Sequence, residues 1–249
     1  MMRTAADILS PPEGRGSLVA CRAADAAVQW LLGHCDEPAF LRSIAEAVQW
    51  LDDVKARNHM LQERVGLNSL ADWRRDAQGR IVHREGRFFT IIGIRVSSPA
   101  REVASWSQPI LNNAGTGIIG MLVKEEQGVA SFLVQAKAEV GNRQAVQLAP
   151  TVQFTQENYA DSPQLKKPFL FDEFSSPGVF PLIRESRQSE EGARFYREQQ
   201  VHRILRLPER YELDLPPDFR WMTANELRYF LHCGEQVNSC CRSILACLL

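Results

Sequence analysis

From residue 80 to residue 155 the chain is a succession of short runs that alternate apolar and polar residues, cut by Gly86, Pro99, Gly115, Gly128 and Gly141. Period-two alternation bounded by glycine and proline is the pattern of strands joined by turns. The middle of the chain is thereby restricted to a sheet. Residues 80–84, 88–97, 106–111, 117–125 and 129–140 read as strands, and 146–155 and 194–207 continue the series. Helices flank them. Over 38–65, Phe40, Leu41, Ile44, Val48, Leu51 and Val54 recur at three- and four-residue steps. Glu37 and Pro38 suit the first turn of that helix and Gly66 its stop. A weaker helix is expected over 23–32. Near the other end Thr223 and Glu226 have capping-box spacing ahead of Leu227, Phe230 and Leu231. A last helix should start near Asn238 and bury Ile244, Leu245 and Leu248. The Pro-rich stretch 162–181 reads as a long surface loop, a feature that often carries function. Helix, then strands, then helices indicate an α+β fold with a mixed or antiparallel sheet flanked by helices. The expected organisation is a flexible N-terminal arm over 1–17, a helical region over 18–70 and one module over 71–249.

Composition removes several function classes. The net charge is −1 over 249 residues, so composition gives no reason to expect nucleic-acid binding and a phosphate site must be a local cluster. No apolar run is long enough for a membrane helix. Residues 1–16 lack the apolar core of a signal peptide, and a cytoplasmic location is expected. The six cysteines form no C-x-x-C pair and suggest neither a disulfide framework nor a zinc site. The five histidines show no H-x-x-H or H-E-x-x-H spacing, so no metal site is expected. Nucleophile-elbow, Rossmann and P-loop glycine patterns are absent as well.

The run 131–140 is the most informative. Side chains alternate faces along a strand, so Phe132, Val134, Ala136 and Ala138 share one face and Leu133, Gln135, Lys137 and Glu139 the other. A face bearing Gln, Lys and Glu in a row is open to solvent or lines a polar cleft. The next segment favours the cleft. After the Gly141-Asn142 turn, Gln147, Thr151, Gln153 and Thr155 offer amides and hydroxyls where an exposed face usually carries Lys and Glu, and Asn158 and Tyr159 follow. Amides can bind sugar hydroxyls in pairs of hydrogen bonds, and an aromatic ring can stack on a nucleobase.

These residues resemble a known family. The run Phe132-Leu133-Val134-Gln135-Ala136-Lys137-Ala138-Glu139-Val140-Gly141-Asn142 is similar to the signature of the NDP-hexose 2,3-dehydratases, as is Val146-Gln147-Leu148-Ala149-Pro150-Thr151-Val152-Gln153-Phe154-Thr155 with Asn158-Tyr159. Further agreement lies at Trp73, 79–83, 86–94, Trp106-Ser107-Gln108-Pro109, 117–120, 189–195, Val237-Asn238 and Arg242-Ser243. The resemblance implies a Nudix-like fold and action on a thymidine-diphosphate sugar in deoxysugar biosynthesis, with no metal or nicotinamide cofactor. Members usually carry two copies of the module, whereas these 249 residues hold one. That departure implies a homodimer or a degenerate copy, and the homodimer is the expectation.

Removing water across C2 and C3 of a 4-keto sugar needs a base at C3, a donor for the oxyanion at O4 and an acid for the leaving hydroxyl. Glu139 is the expected base and Lys137 the oxyanion donor, about 7 Å apart at two residues' rise, or else the two form a structural ion pair. Tyr159 or Glu190 is the expected acid. Gln135, Asn142, Gln147, Thr151, Gln153, Asn158 and Gln108 are expected to bind substrate, with Trp106 stacking on the base. Arg194 is the expected grip on the diphosphate, while Arg184 and Arg187 suit an exposed surface. Two rivals remain. A Nudix hydrolase would need a carboxylate-bearing helix for Mg²⁺, but the spacing of Glu185 and Glu190 departs from helical clustering. A non-catalytic nucleotide-sugar-binding subunit built from the same module is the alternative.

Overall fold

The computed structural model describes residues 26–35, 44–113, 115–160, 164–176 and 178–248. The expected arm over 1–17 and the start of the expected helices at 23 and 38 lie outside them. Residues 26–33 are helical (α1), and α2 spans Ile44–Arg57. The chain then leaves the helix, well before the expected stop at Gly66, because no apolar face continues: Leu61 is 95% exposed.

Two sheets follow. The first is an antiparallel meander of β1 (Trp73–Arg75), β2 (Ile81–His83), β3 (Phe89–Ser97) and β4 (Ser105–Asn113). The second is larger and mixed. It contains β5 (Gly117–Glu126), β6 (Val129–Ala138), β7 (Val146–Ala149), β8 (Val152–Thr155), β9 (Leu182–Ser189), β10 (Gln199–Arg206) and β11 (Phe219–Thr223). Its main order is β11-β6-β5-β10-β9, with β10 parallel to β5 and the other pairs antiparallel. This is the expected α+β class. The strand expected over 194–207 begins only at Gln199, since 194–196 bond instead to Leu111 of β4. β9 and β11 were not expected from the sequence.

Both faces of the large sheet are covered, unlike the one-sided burial that its alternation suggests. On one face Phe132, Val134 and Ala136 pack with residues of α1, α2, α5 (Ala224–His232) and α6 (Ser239–Ala246). On the other, Leu133, Val152 and Phe154 pack against Phe171 and Phe174 of the short helix α4 (Phe171–Ser175). That helix interrupts the expected long loop. The expected capping box is present: Thr223 Oγ1 accepts from Glu226 N–H at 3.2 Å and Glu226 Oε2 accepts from Thr223 N–H at 2.8 Å. No described helix is long and apolar enough to cross a membrane.

β5 and β6 pair only from Leu122–Leu133 outward to Glu126–Val129. Beyond Leu122 they splay, and β7 and β8 fill the gap, β7 on β6 and β8 on β5. Pro150, which has no N–H to give a ladder, sits with Thr151 at the apex. The Thr151 hydroxyl accepts from Leu122 N–H at 2.8 Å and donates to Leu133 C=O at 2.5 Å. It therefore joins the two strands where their own ladder ends.

Candidate active site

The strand pairings put a row of residues across one face of the large sheet. Gln153 of β8 lies opposite Ile119 of β5, Ile119 opposite His202 of β10, and His202 opposite Ser186 of β9. Residues in register share a face. Helix α6 is laid along this row. Asn238, its N-cap, donates from Nδ2 to Gln153 Oε1 at 2.9 Å; Ser243 Oγ lies 2.9 Å from His202 Nε2; Ser186 Oγ donates to Cys247 Sγ at 3.4 Å. Two residues further along the strands comes a second row of Thr155, Gly117, Gln200 and Gln188. Past it Glu190 N–H donates to Glu198 C=O at 3.0 Å, so the two glutamates stand opposite each other. Alternation brings both onto the same face. The result is a polar shelf bordered by α6. Gly117 makes room for it, since a Cβ there would collide with the Gln200 side chain.

Glu139 stands at the β8 end of this shelf. Its Oε1 accepts a hydrogen bond from Gln153 Nε2 and lies 3.7 Å from Lys137 Nζ; its Oε2 accepts from Asn142 Nδ2 and Asn238 Nδ2, each at 3.3 Å. Three amides and an ammonium thus converge on one carboxylate whose side chain keeps 28% of its surface exposed. Lys137 does not straddle a ring's width from Glu139 as the strand rise suggested; it pairs with it directly. Burial holds the Lys137 ammonium below its ordinary 10.5, and Glu139 opposes that shift. Cys240, in the first turn of α6, is pushed up to about 11 by burial; Glu139 and Glu190 push the same way and Lys137 opposes. One thiol therefore feels charges from both ends of the shelf.

At the far end Glu198 is buried, with 8% exposure. Its Oε1 accepts from Gln200 Nε2 at 2.8 Å and Asn113 Nδ2 at 3.1 Å, and its Oε2 has no hydrogen-bond partner among the described residues. Burial raises its carboxyl above the ordinary 4.5; the Glu190 charge adds to that, and the two amides oppose it. His202, 2% exposed, is held below 6.5 by burial, so its imidazole is neutral at neutral pH.

The structure brings together Lys137, Glu139, Asn142 and Gln153, with Glu190 across the shelf. The other expected residues make different contacts. Thr151 is 1% exposed and its hydroxyl is committed to the strand junction. Gln147 donates to Glu235 C=O at 2.8 Å, and Gln135 donates to Asp218 Oδ2 at 2.8 Å; both hold neighbouring turns. Tyr159, on the short helix α3 (Glu157–Ala160) with Asn158, packs its ring on Phe154 and Phe171 in the cluster of the opposite face. Phe154 and Gln153 are consecutive on β8, so Tyr159 is separated from Glu139 by the sheet itself. Trp106 donates to Gln108 Oε1 at 2.8 Å, and Gln108 donates to Ala193 C=O at 2.9 Å, all on the four-stranded sheet and its neighbour. Arg194 is 75% exposed and pairs with Glu191 at 3.3 Å. Asn238, Glu198, Gln200 and His202 were not among the site residues expected from the sequence. Asn238 already stood out as a helix start, which is also the position from which it reaches Glu139. Among the described residues no three His, Cys, Asp or Glu side chains gather so as to hold a metal ion.

Residues 44–248 match a family model described as NDP-hexose 2,3-dehydratase. The dTDP-4-dehydro-6-deoxy-alpha-D-glucopyranose 2,3-dehydratase of Saccharopolyspora spinosa is 38% identical over 206 residues, covering 83% of this chain and 42% of that protein. The enzyme of the same name from Streptomyces violaceoruber is 36% identical over 209 residues, covering 84% and 46%. The chain spans less than half the length of these relatives. Among solved structures, the crystal structure of ADP compounds hydrolase aligns with a TM-score of 0.39 at 12% identity, covering 77% of this chain and 95% of that chain.

Proposed function

Because the chain belongs to the NDP-hexose 2,3-dehydratase family, we propose that it is a carbon–oxygen lyase acting on a thymidine-diphosphate 4-keto-6-deoxyhexose. In this reading it removes the C2 hydroxyl after abstraction of the C3 proton and leaves a 3,4-diketo-2,6-dideoxy sugar. The carrying observation is the Glu139 carboxylate, gripped by Gln153, Asn238 and Asn142 with Lys137 beside it, at the end of a polar shelf. The 4-keto group acidifies the C3 hydrogen, Glu139 takes that proton, and the Lys137 ammonium balances the charge that develops on O4. The elimination moves no net electrons to a cofactor. Charge that appears only in the transition state is what a fixed cation stabilises most effectively.

In the same reading the protein is cytoplasmic and belongs to the deoxysugar pathways that serve antibiotic biosynthesis. This chain covers under half of each relative, and the reading includes a homodimer in which a second copy of the chain supplies a second module. The test is direct. Purified protein is mixed with TDP-4-keto-6-deoxyglucose and the nucleotide sugar is followed by mass spectrometry. Loss of one water from the sugar is expected. Binding without water loss would favour a non-catalytic partner subunit, and neither binding nor water loss would contradict both. Sedimentation of the same sample at a single-chain mass would contradict the homodimer.

A further inference from the structure

The leaving C2 hydroxyl needs a proton, and neither acid expected from the sequence is well placed to give one alone. Tyr159 lies on the opposite face of the sheet. Glu190 is half-buried at the rim, but it stands opposite Glu198. Two like charges directly across a strand pair repel. A protein that keeps such a pair, one member buried, relieves the cost by keeping a proton on one of them. Glu198 is the member that keeps it. Both of its hydrogen-bonding amides, from Gln200 and Asn113, point at Oε1, and Oε2 is left with no described partner. A neutral carboxyl needs an acceptor for its O–H, and a substrate oxygen that reaches this buried atom would supply one.

We propose that Glu198, paired with Glu190, is the catalytic proton donor to the departing C2 oxygen. The proposal rests on the dehydratase reading and completes it. Glu139 removes the C3 proton and the C3–H electron pair moves into the enolate at C4. As the C4 carbonyl re-forms, a C2=C3 double bond forms and the C2–O bond breaks. The Glu198 proton passes to the departing oxygen, which leaves as water. The enol then gives its O3 proton to the Glu198 carboxylate while C2 takes the proton held by Glu139. Both carboxyl groups return to their starting states and no other reactant is consumed. The environments differ between the two: Glu139 is surrounded by hydrogen-bond donors, while burial favours the neutral form of Glu198.

The experiment separates the two halves of the reaction. The full chain is incubated with TDP-4-keto-6-deoxyglucose in deuterated buffer, and NMR follows both deuterium entry at C3 and loss of the C2 hydroxyl. Glu198→Gln should keep C3 exchange and lose elimination by about 100-fold or more. Elimination at the wild-type rate in Glu198→Gln overturns the proposal and leaves the dehydratase reading standing. Loss of exchange together with elimination in a folded variant also overturns it, because Glu198 would then be holding the site together. If Glu198→Gln does not fold, Glu190→Gln carries the test. Removing the neighbouring charge should lower the Glu198 pKa and move the alkaline limb of elimination to lower pH, and an unmoved limb counts against the proposal. A wild-type protein that neither exchanges nor eliminates defeats the dehydratase reading, and this proposal with it.

Discussion

Asn238 reaches across 99 residues of sequence to donate to Glu139 at 3.3 Å, and the other end of the same amide caps helix α6 through Cys241 N–H at 2.8 Å. A helix start and a carboxylate are thus fixed by one side chain. The amide also donates to Gln153, so it ties β8, the end of β6 and α6 into one unit. Backbone pairing reinforces the joint: Asn238 N–H donates to Leu148 C=O, and Leu148 N–H to Gln236 C=O.

This double duty can be split. Asn238→Asp keeps an oxygen for the Cys241 cap but replaces the donor that faces Glu139 and Gln153. A lost hydrogen bond to a charged group is worth roughly 1.5–3 kcal/mol. Turnover should therefore fall by about one to two orders of magnitude, with helical circular dichroism unchanged. Full activity in Asn238→Asp would show that the orientation of Glu139 does not matter.

Thr151 makes a stability prediction free of catalysis. Thr151→Val keeps the shape but leaves Leu122 N–H and Leu133 C=O without their bridge in a fully buried place. Each orphaned buried group costs about 1–3 kcal/mol. Urea unfolding should show a loss of about 2–4 kcal/mol, with Thr151→Ser near wild type. Thr151→Val unfolding at the wild-type midpoint would contradict the bridging role.

His202 predicts a dependence on pH. Burial, the largest cause, places its folded pKa below 6.5, while the backbone of Gln200 and the charge of Glu190 oppose the shift. The unfolded chain then binds a proton more readily than the folded one. Stability from His202 is present above about 6.5 and is lost as pH falls through its folded value. Glu198, whose folded pKa is raised, has the opposite slope, so the informative quantity is a difference. The stability gap between wild type and His202→Gln should narrow as pH is lowered from 7. A gap constant across that range would contradict a neutral buried imidazole.

Much of this architecture is local and therefore legible in the sequence. The capping box at Thr223 and Glu226, the helix start at Asn238 and the strands around Phe132 depend on patterns a few residues long. The Lys137–Glu139 pair was legible for the same reason. Distant pairing hid the rest. Leu182–Ser189 is polar over most of its length because it is an edge strand, and its neighbour β10 is what makes it one. Phe219–Thr223 is short and follows Pro216 and Pro217. Thr151 reads as a polar residue beside a cleft, yet the splaying of β5 from β6 turns it into a bolt. Glu198 and His202 sit near apolar Val201 and Ile204. Only the β8–β5–β10 register reveals that they share a face with Gln153.

The central claim is that Glu139 removes a proton from carbon. It is tested by C3 hydrogen–deuterium exchange in TDP-4-keto-6-deoxyglucose, comparing wild type with Glu139→Gln under conditions where both bind thymidine diphosphate. The account predicts exchange in the wild type and a fall of about 100-fold or more in the variant. Undiminished exchange in Glu139→Gln would contradict it.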